Sequence, residues 1–405
     1  MDPSLASLLP LLRPELSELA AYVPHDPEGI EVKLDANEAP STSAHVREVA
    51  ARAMASVALE RYPDPRALRL KDAIAKRTGA RPRDLLVGSG SDELIALVTN
   101  AFAQPRRRNT QAIVLTPTPT FVMYKITARG HGAKPVEVPL DPTWDLDVAM
   151  MRRAFQIMEP SVVYIASPNN PTGNAMSRDR VEKVVELARS VGGMAGLGQE
   201  RPRVPAEAGT TTMVSAKPSE EAAPKEACFC VLDEAYVDYA GPNASLRGLR
   251  ASQAHVGILR TLSKVGLAAL RIGWLEADPV IVEEIDKTRQ PFNVSATSQA
   301  AAAAVLEEAW DAVQADVAAI VLAREELAKA LAELPGFQVT PSSANFVWVK
   351  TPGPAEDVHA HLVREKILVR SFHRSGGRLT NQLRITVGTS AQNDRLLTAL
   401  RKVGA

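Results

Sequence analysis

Between about residue 65 and residue 275 the chain alternates between two hydrophobic periods. Short runs rich in Val, Ile and Leu predict strands at Asp84–Val87, Ala112–Thr116, Ser161–Ala166, Phe229–Asp233, Val256–Thr261 and Leu270–Leu275. Helical patterns lie between them, notably over Asp92–Ala103, Leu146–Phe155 and Arg178–Ser190. Strand and helix in alternation predict an α/β architecture, with a mostly parallel central sheet covered by helices on both faces. The boundaries place this large domain at 46–290. In such sheets ligands collect beyond the carboxyl ends of the strands. The stretches GSGSDE (88–93), SPNNPTG (167–173), DEAY (233–236) and the pair Ser263–Lys264 each follow a predicted strand. Chance would scatter them over both ends of the sheet.

After Pro291 the pattern changes. An alanine-rich stretch predicts one long helix from about Ala296 to Leu334, followed by strand-like FQVT, NFVWVK and LRITVG, a helix through Ala355–Lys366 and a last helix from about Asn393. This describes a smaller α+β domain over 291–405, with residues 1–45 as an N-terminal arm associated with it. Residues 191–227 fit neither domain. They are rich in Gly, Pro, Ser, Thr and Glu without either period, and read as a disordered surface insertion.

Composition narrows the picture. Apolar residues make up 45% and charged residues 23%, with zero net charge, so no field draws the chain to nucleic acid or an anionic membrane. No apolar run approaches the roughly 20 residues that cross a bilayer. The start, MDPSLASLLPLLRPEL, lacks a basic leader and predicts no signal peptide. The two cysteines, Cys228 and Cys230, sit at i and i+2 on one strand, facing the same side and poorly placed for a disulfide. That suits a reducing compartment, the cytoplasm. The seven histidines are scattered, and no metal site is expected.

Lys264 raises the chemical question. It lies in TLSKVGLAALRIG (261–273), a stretch without an acid, and the next charge is Arg271. A surface lysine snorkelling over apolar neighbours is the plain reading. A buried amine that loses its proton or reacts is the alternative, and Schiff-base formation is its commonest use. Other strand-end residues favour the second. Gly88-Ser89-Gly90-Ser91-Asp92 lets backbone N–H groups meet an anion at a helix start, and Arg271 adds a charge-assisted grip. Asp233 ends an apolar strand, where a carboxylate needs a cation. Tyr236 and Asn170 offer hydroxyl and amide, and Phe121 in PTPTFVMY offers a flat face for a ring. Phosphate, ring nitrogen, phenolic oxygen and aldehyde are the handles of pyridoxal 5'-phosphate, and each has a partner here.

SPNNPTG (167–173), VLDEAY (231–236), RTLSK (260–264), ALRIG (269–273) and LRITVGT (383–389) resemble the fold-type I aminotransferases, the class that includes aspartate aminotransferase. KLDANEAP (33–40), RYPDP (61–65), GSGSDELI (88–95), SSANFVWVK (342–350) and ILVRSF (367–372) resemble the histidinol-phosphate aminotransferase subgroup. The resemblance spans nearly the whole chain in order, apart from 191–227. It implies that Lys264 forms the Schiff base and shuttles a proton, that Asp233 pairs with the ring nitrogen, and that Asn170 and Tyr236 bond the phenolic oxygen. Phe121 stands where relatives often carry tyrosine. Ser91, Asp92, Ser263 and Arg271 would cradle the phosphate, and Tyr62 would reach the cofactor of a second subunit, implying a homodimer with shared sites. Arg384 would bind the α-carboxylate of glutamate, while Tyr22, Asn37 and Arg370 would line the substrate pocket, Arg370 facing the substrate phosphate. Asn345 either turns the backbone or touches substrate.

The activity so implied is transfer of an amino group, in two half-reactions, between glutamate/2-oxoglutarate and histidinol phosphate/imidazole acetol phosphate, a step of histidine biosynthesis. Rival substrates on the same fold are aromatic amino acids and, by decarboxylation, threonine phosphate. A non-catalytic cofactor-binding regulator fits least, because the segment before residue 45 is short for a DNA-binding module and the charge is neutral.

Overall fold

In chain order the strands are β1 (Val32–Leu34), β2 (Leu85–Ser89), β3 (Ile113–Thr118), β4 (Lys134–Pro139), β5 (Val162–Ala166), β6 (Phe229–Asp233), β7 (Val256–Thr261), β8 (Ile272–Glu276), β9 (Gln338–Thr340), β10 (Phe346–Lys350), β11 (Ile367–Ser371) and β12 (Gln382–Thr386). They form two sheets in this computed structural model, which describes residues 9–13, 15, 16, 19, 21, 27–106, 111–189, 191 and 227–403.

The seven-stranded sheet has the order β2-β8-β7-β6-β5-β3-β4, and β8 alone runs antiparallel to its neighbours. Its central strands are buried on both faces, which explains their continuous apolar runs. Alternation still sorts them. Val163, Ile165, Cys228, Cys230 and Leu232 enter one apolar cluster, and Val162, Tyr164, Phe229 and Val231 enter the cluster on the other face. The two cysteines therefore share a face as expected, and both are buried free thiols.

The lone antiparallel strand matters for function. The parallel strands end at Ser89, Thr118, Ala166, Asp233 and Thr261, whereas β8 begins at that same edge. Arg271, just before β8, thus arrives beside the residues that follow β2 and β7.

β4 escapes the apolar pattern. KPVEVP contains two prolines and has only one buried residue, and it occupies the edge of the sheet, where a missing N–H is tolerated.

The second sheet has the order β1-β11-β12-β10-β9. β1 pairs parallel with β11, and the other pairs are antiparallel. With three residues, β1 is too short to show a period.

The single long helix expected from about Ala296 is in fact two, Ala296–Glu308 and Trp310–Ala332. At Ala309 the backbone leaves the helical region (φ −130°, ψ 12°), with neither glycine nor proline to mark the break. Ala301–Leu306 is buried all round, because small side chains let this helix lie close against Ala44–Ala55 and Leu68–Thr78.

The last helix starts at Ser390, three residues before the expected point, where Thr389 and Gln392 form a capping box. The segment 191–227 lies outside the described residues except at its ends, where the Cys228 N–H donates to the Ala188 carbonyl at 2.7 Å.

Candidate active site

The carboxylate that ends β6 is buried beneath the sheet edge. Asp233 accepts the Tyr124 hydroxyl at 2.6 Å on Oδ2 and the Ala235 N–H at 2.9 Å on Oδ1. Burial pushes its pKa up to about 6, against the pull of these two hydrogen bonds and of the Lys264 charge. Tyr124 is itself fully buried, stacked on Tyr164 at 4.7 Å and met edge-on by Phe121 at 5.6 Å. The same burial and the adjacent Asp233 carboxylate raise the Tyr124 phenol well above its ordinary value, so it stays a donor.

An anion-sized cradle lies at the end of β2. The helix Gly90–Phe102 begins there, with Gly90 in the left-handed region at φ +79°. A Cβ on Gly90 would come within 2.5 Å of Arg271 Nη2, and one on Gly273 within 2.7 Å of Ser91 N. Both glycines are therefore required for the guanidinium and the helix start to share this corner. Arg271 donates to Ser263 Oγ at 3.3 Å and reaches Asp92 Oδ2 at 3.4 Å. The Ser263 N–H is tied back to Thr261 Oγ1 at 3.1 Å, which fixes the turn after β7.

Lys264 follows Ser263 in that turn and is half-buried, its Nζ 5.7 Å from the centre of the Tyr236 ring. Among the described residues no carboxylate forms an ion pair with it. Its carbonyl is held by the Tyr239 hydroxyl at 2.5 Å, and Arg324, buried in the helix Trp310–Ala332, donates to the Tyr239 carbonyl at 3.2 Å and to the Ala344 carbonyl at 3.0 Å. The lysine backbone is thereby pinned from the side of the second sheet.

That sheet supplies the remaining wall. Arg384 in β12 donates to Asn170 Oδ1 at 2.6 Å and to the Asp35 carbonyl, with its guanidinium 5.5 Å from the centre of the Phe346 ring. Arg370 in β11 is its cross-strand partner. Residues directly opposite share a face, and like charges there repel unless an anion lies between them. Asn37 is 1% exposed, its amide donating to the Tyr236 hydroxyl at 2.9 Å. The structure thus pairs Asn37 with Tyr236 and Asn170 with Arg384, sets Lys264 over the Tyr236 ring, and puts Ser263, Asp92 and Arg271, with Ser91, at the cradle. Phe121 is half-buried beside Tyr124. Tyr62 stands apart from them, 82% exposed and stacked on Phe292 at 4.7 Å. Tyr22 lies outside the described residues.

The model of the aminotransferase class I and II family matches residues 30–195 and 217–400. The chain belongs to that family. The gap in this aminotransferase match, 196–216, falls inside the 191–227 segment. Among similar proteins, histidinol-phosphate aminotransferase 2 of Nitrosococcus oceani is 34% identical over 394 residues, covering 96% of each chain. Histidinol-phosphate aminotransferase of Aquifex aeolicus is 33% identical over 372 residues, 92% of each. The crystal structure of histidinol-phosphate aminotransferase from Sinorhizobium meliloti in complex with pyridoxal-5'-phosphate superposes with a TM-score of 0.78 over 97% of each chain, at 24% identity. The aminotransferase fold is accordingly the fold-type I arrangement.

The residues fit the cofactor that this resemblance implies. At the Gly90 corner the missing Cβ lets the Arg271 guanidinium lie against the helix start, beside the Ser263 hydroxyl, a donor set suited to a phosphate. Asp233 is a buried carboxylate with no ion pair among the described residues, and a protonated ring nitrogen would relieve its raised pKa.

Three residues of this aminotransferase site were not apparent in the sequence: Tyr124, Tyr239 and Arg324. Tyr124 lies three residues after Phe121 in PTPTFVMY, one helical turn on, which is a signal for a shared face. Tyr239 lies three after Tyr236, but nothing local marks Arg324.

Proposed function

We propose that this aminotransferase binds pyridoxal 5'-phosphate and transfers an amino group between glutamate/2-oxoglutarate and histidinol phosphate/imidazole acetol phosphate, in histidine biosynthesis. The observation that carries the substrate assignment is the arginine pair on β11 and β12. Arg384, oriented by Asn170 and the Asp35 carbonyl, is placed for an α-carboxylate. Glutamate supplies the carboxylate for Arg384; Arg370, with no carboxylate pairing it among the described residues, is the candidate for the phosphate of the other substrate, histidinol phosphate, which carries no carboxylate.

Ser91, Asp92, Ser263 and Arg271 hold the cofactor phosphate in this reading, Phe121 stacks on the ring, and Asn170 and Tyr236 bond the phenolic oxygen. Asp233, ionised at neutral pH, keeps the ring nitrogen protonated. When bound, the cofactor supplies a conjugated cation that spreads the electron pair left on the substrate α-carbon. Lys264 would take the proton from that carbon and hold it for return, as the general base and acid of the site. Its backbone is held by Tyr239, so the amine moves without displacing the turn.

Tyr62, exposed and braced by Phe292, reaches the site of a second copy, and the active species is a homodimer. The chain acts in the cytoplasm; among the described residues no helix is long and apolar enough to cross a membrane. Residues 46–290 act as the cofactor-binding domain and 291–405, with the arm 1–45, as the smaller one.

Steady-state kinetics with histidinol phosphate, phenylalanine and threonine phosphate test the assignment. We expect histidinol phosphate to have the highest kcat/KM with 2-oxoglutarate as acceptor. Preference for phenylalanine, or carbon dioxide release from threonine phosphate, overturns it.

A further inference from the structure

The second sheet meets the tyrosine of DEAY through the edge-on ring of Phe346, 5.2 Å away, and the segment after β1 meets its hydroxyl through one buried side chain, Asn37. Asn37 sits past the end of β1 with φ +57°, a left-handed conformation that asparagine tolerates better than other side chains. Its backbone N–H donates to Thr386 Oγ1 at 3.0 Å, and the Thr386 hydroxyl donates to Asn37 Oδ1 at 3.2 Å. Asn345 Nδ2 donates to the Asn37 carbonyl at 2.9 Å. Asn37, Asn345, Thr386 and Tyr236 are 1%, 0%, 3% and 5% exposed, so no water competes for these bonds. With its oxygen turned to Thr386, the Asn37 amide presents its NH2 to Tyr236, at 2.9 Å from the hydroxyl.

That direction has a chemical result. A phenol oxygen that already accepts an N–H keeps its own hydrogen for another acceptor, and the polarisation strengthens that donation. Among the described residues the Tyr236 hydroxyl has no acceptor.

We propose that Asn37 is a positioning residue that acts through Tyr236, with Thr386 and Asn345 holding it, and does not contact substrate. Asn37 aims the tyrosine hydrogen at the phenolic oxygen of the bound cofactor and so stabilises that oxygen as an anion. This rests on the cofactor assignment above.

The test is a spectrophotometric pH titration of the bound cofactor's visible band in the holoenzyme. The variants are N37G, which keeps the left-handed backbone while deleting the amide, Y236F, and their combination. T386V serves as a milder variant that keeps side-chain shape. We expect N37G to raise the band's apparent pKa by about one unit, Y236F by at least as much, and the double variant by no more than Y236F alone. T386V should move it the same way by less. An unchanged pKa in both N37G and T386V overturns the proposal, as does a shift that adds fully to that of Y236F. A raised KM for substrate with an unmoved pKa returns Asn37 to the substrate pocket. Should N37G not fold, the T386V titration, alone and with Y236F, decides by the same criteria. If the wild-type protein takes up the cofactor without a visible band, or takes up none, the cofactor assignment itself fails, a result distinct from a wild-type band that the variants leave in place.

Discussion

At the anion-binding corner, Gly90, Ser91, Asp92, Ser263 and Arg271 come from turns at the ends of three adjacent strands, β2, β8 and β7. At the opposite wall, Asn37, Asn170, Arg370 and Arg384 come from four segments on two sheets. Arg271 is 8 residues from Ser263 and 179 from Asp92, but all three lie at strand ends of one sheet, whereas Arg384, in the other sheet, reaches Asn170 214 residues away and Asp35 349 away. The first arrangement is secured by backbone and glycine, and is complete once the seven-stranded sheet forms. The second exists only when the two sheets are packed together. One half of the site is thus rigid with the fold, and the other depends on the juxtaposition of distant parts.

Four changes probe this contrast, from the largest effect to the smallest. Lys264 lies between the halves, and K264A should reduce turnover to the uncatalysed background and abolish borohydride-fixed labelling by pyridoxal phosphate, as read by mass spectrometry. Residual labelling at another lysine would remove Lys264 from its role. R384Q removes the charge from the assembled wall. It should lower kcat/KM for glutamate by about 10²–10³-fold, a loss of roughly 3–4 kcal/mol, while cofactor affinity changes little. Equal loss of cofactor affinity would show that the two halves are one unit.

The third change concerns Asp233 in the cofactor-free protein. Burial raises its pKa to about 6, so the folded state holds this proton more tightly than the unfolded chain does. The corresponding stability is present below about pH 4 and is lost as pH rises through 6. D233N does not titrate. Its stability relative to the wild type should therefore improve by on the order of 3 kcal/mol between pH 4 and pH 7, measured by urea melts. A gap that stays constant with pH would mean that Asp233 is not desolvated. G90A, fourth, strains the left-handed position and pushes Arg271 aside. Cofactor affinity should fall by about 10-fold, with glutamate KM at saturating cofactor nearly unchanged.

The same contrast governs what could be read from the sequence. Lys264, Asp233 and the glycine-rich turn announce themselves because each closes an apolar run, and in an α/β sheet that position is where ligands gather. The α/β class followed from the same runs, and β6 and β7 were placed to the residue. β4 was missed because its prolines and exposed positions erase the strand pattern. The break at Ala309 had no glycine or proline to signal it. Arg324 and Tyr239 were invisible for another reason: an arginine that holds a carbonyl 85 residues away leaves no local trace. Asn345 shows the limit most clearly. Its sequence context allowed a turn or a contact with substrate and gave no hint of the bond it makes to the carbonyl of Asn37, 308 residues distant.

The outer strand KPVEVP carries a last consequence. Pro135 and Pro139 lack N–H groups, and among the described residues no further strand pairs with theirs on that flank. A row of backbone donors and acceptors there would invite another chain to extend the sheet. Two gaps in the row deny such a chain a continuous ladder, so that flank guards the molecule against growing strand by strand into an aggregate.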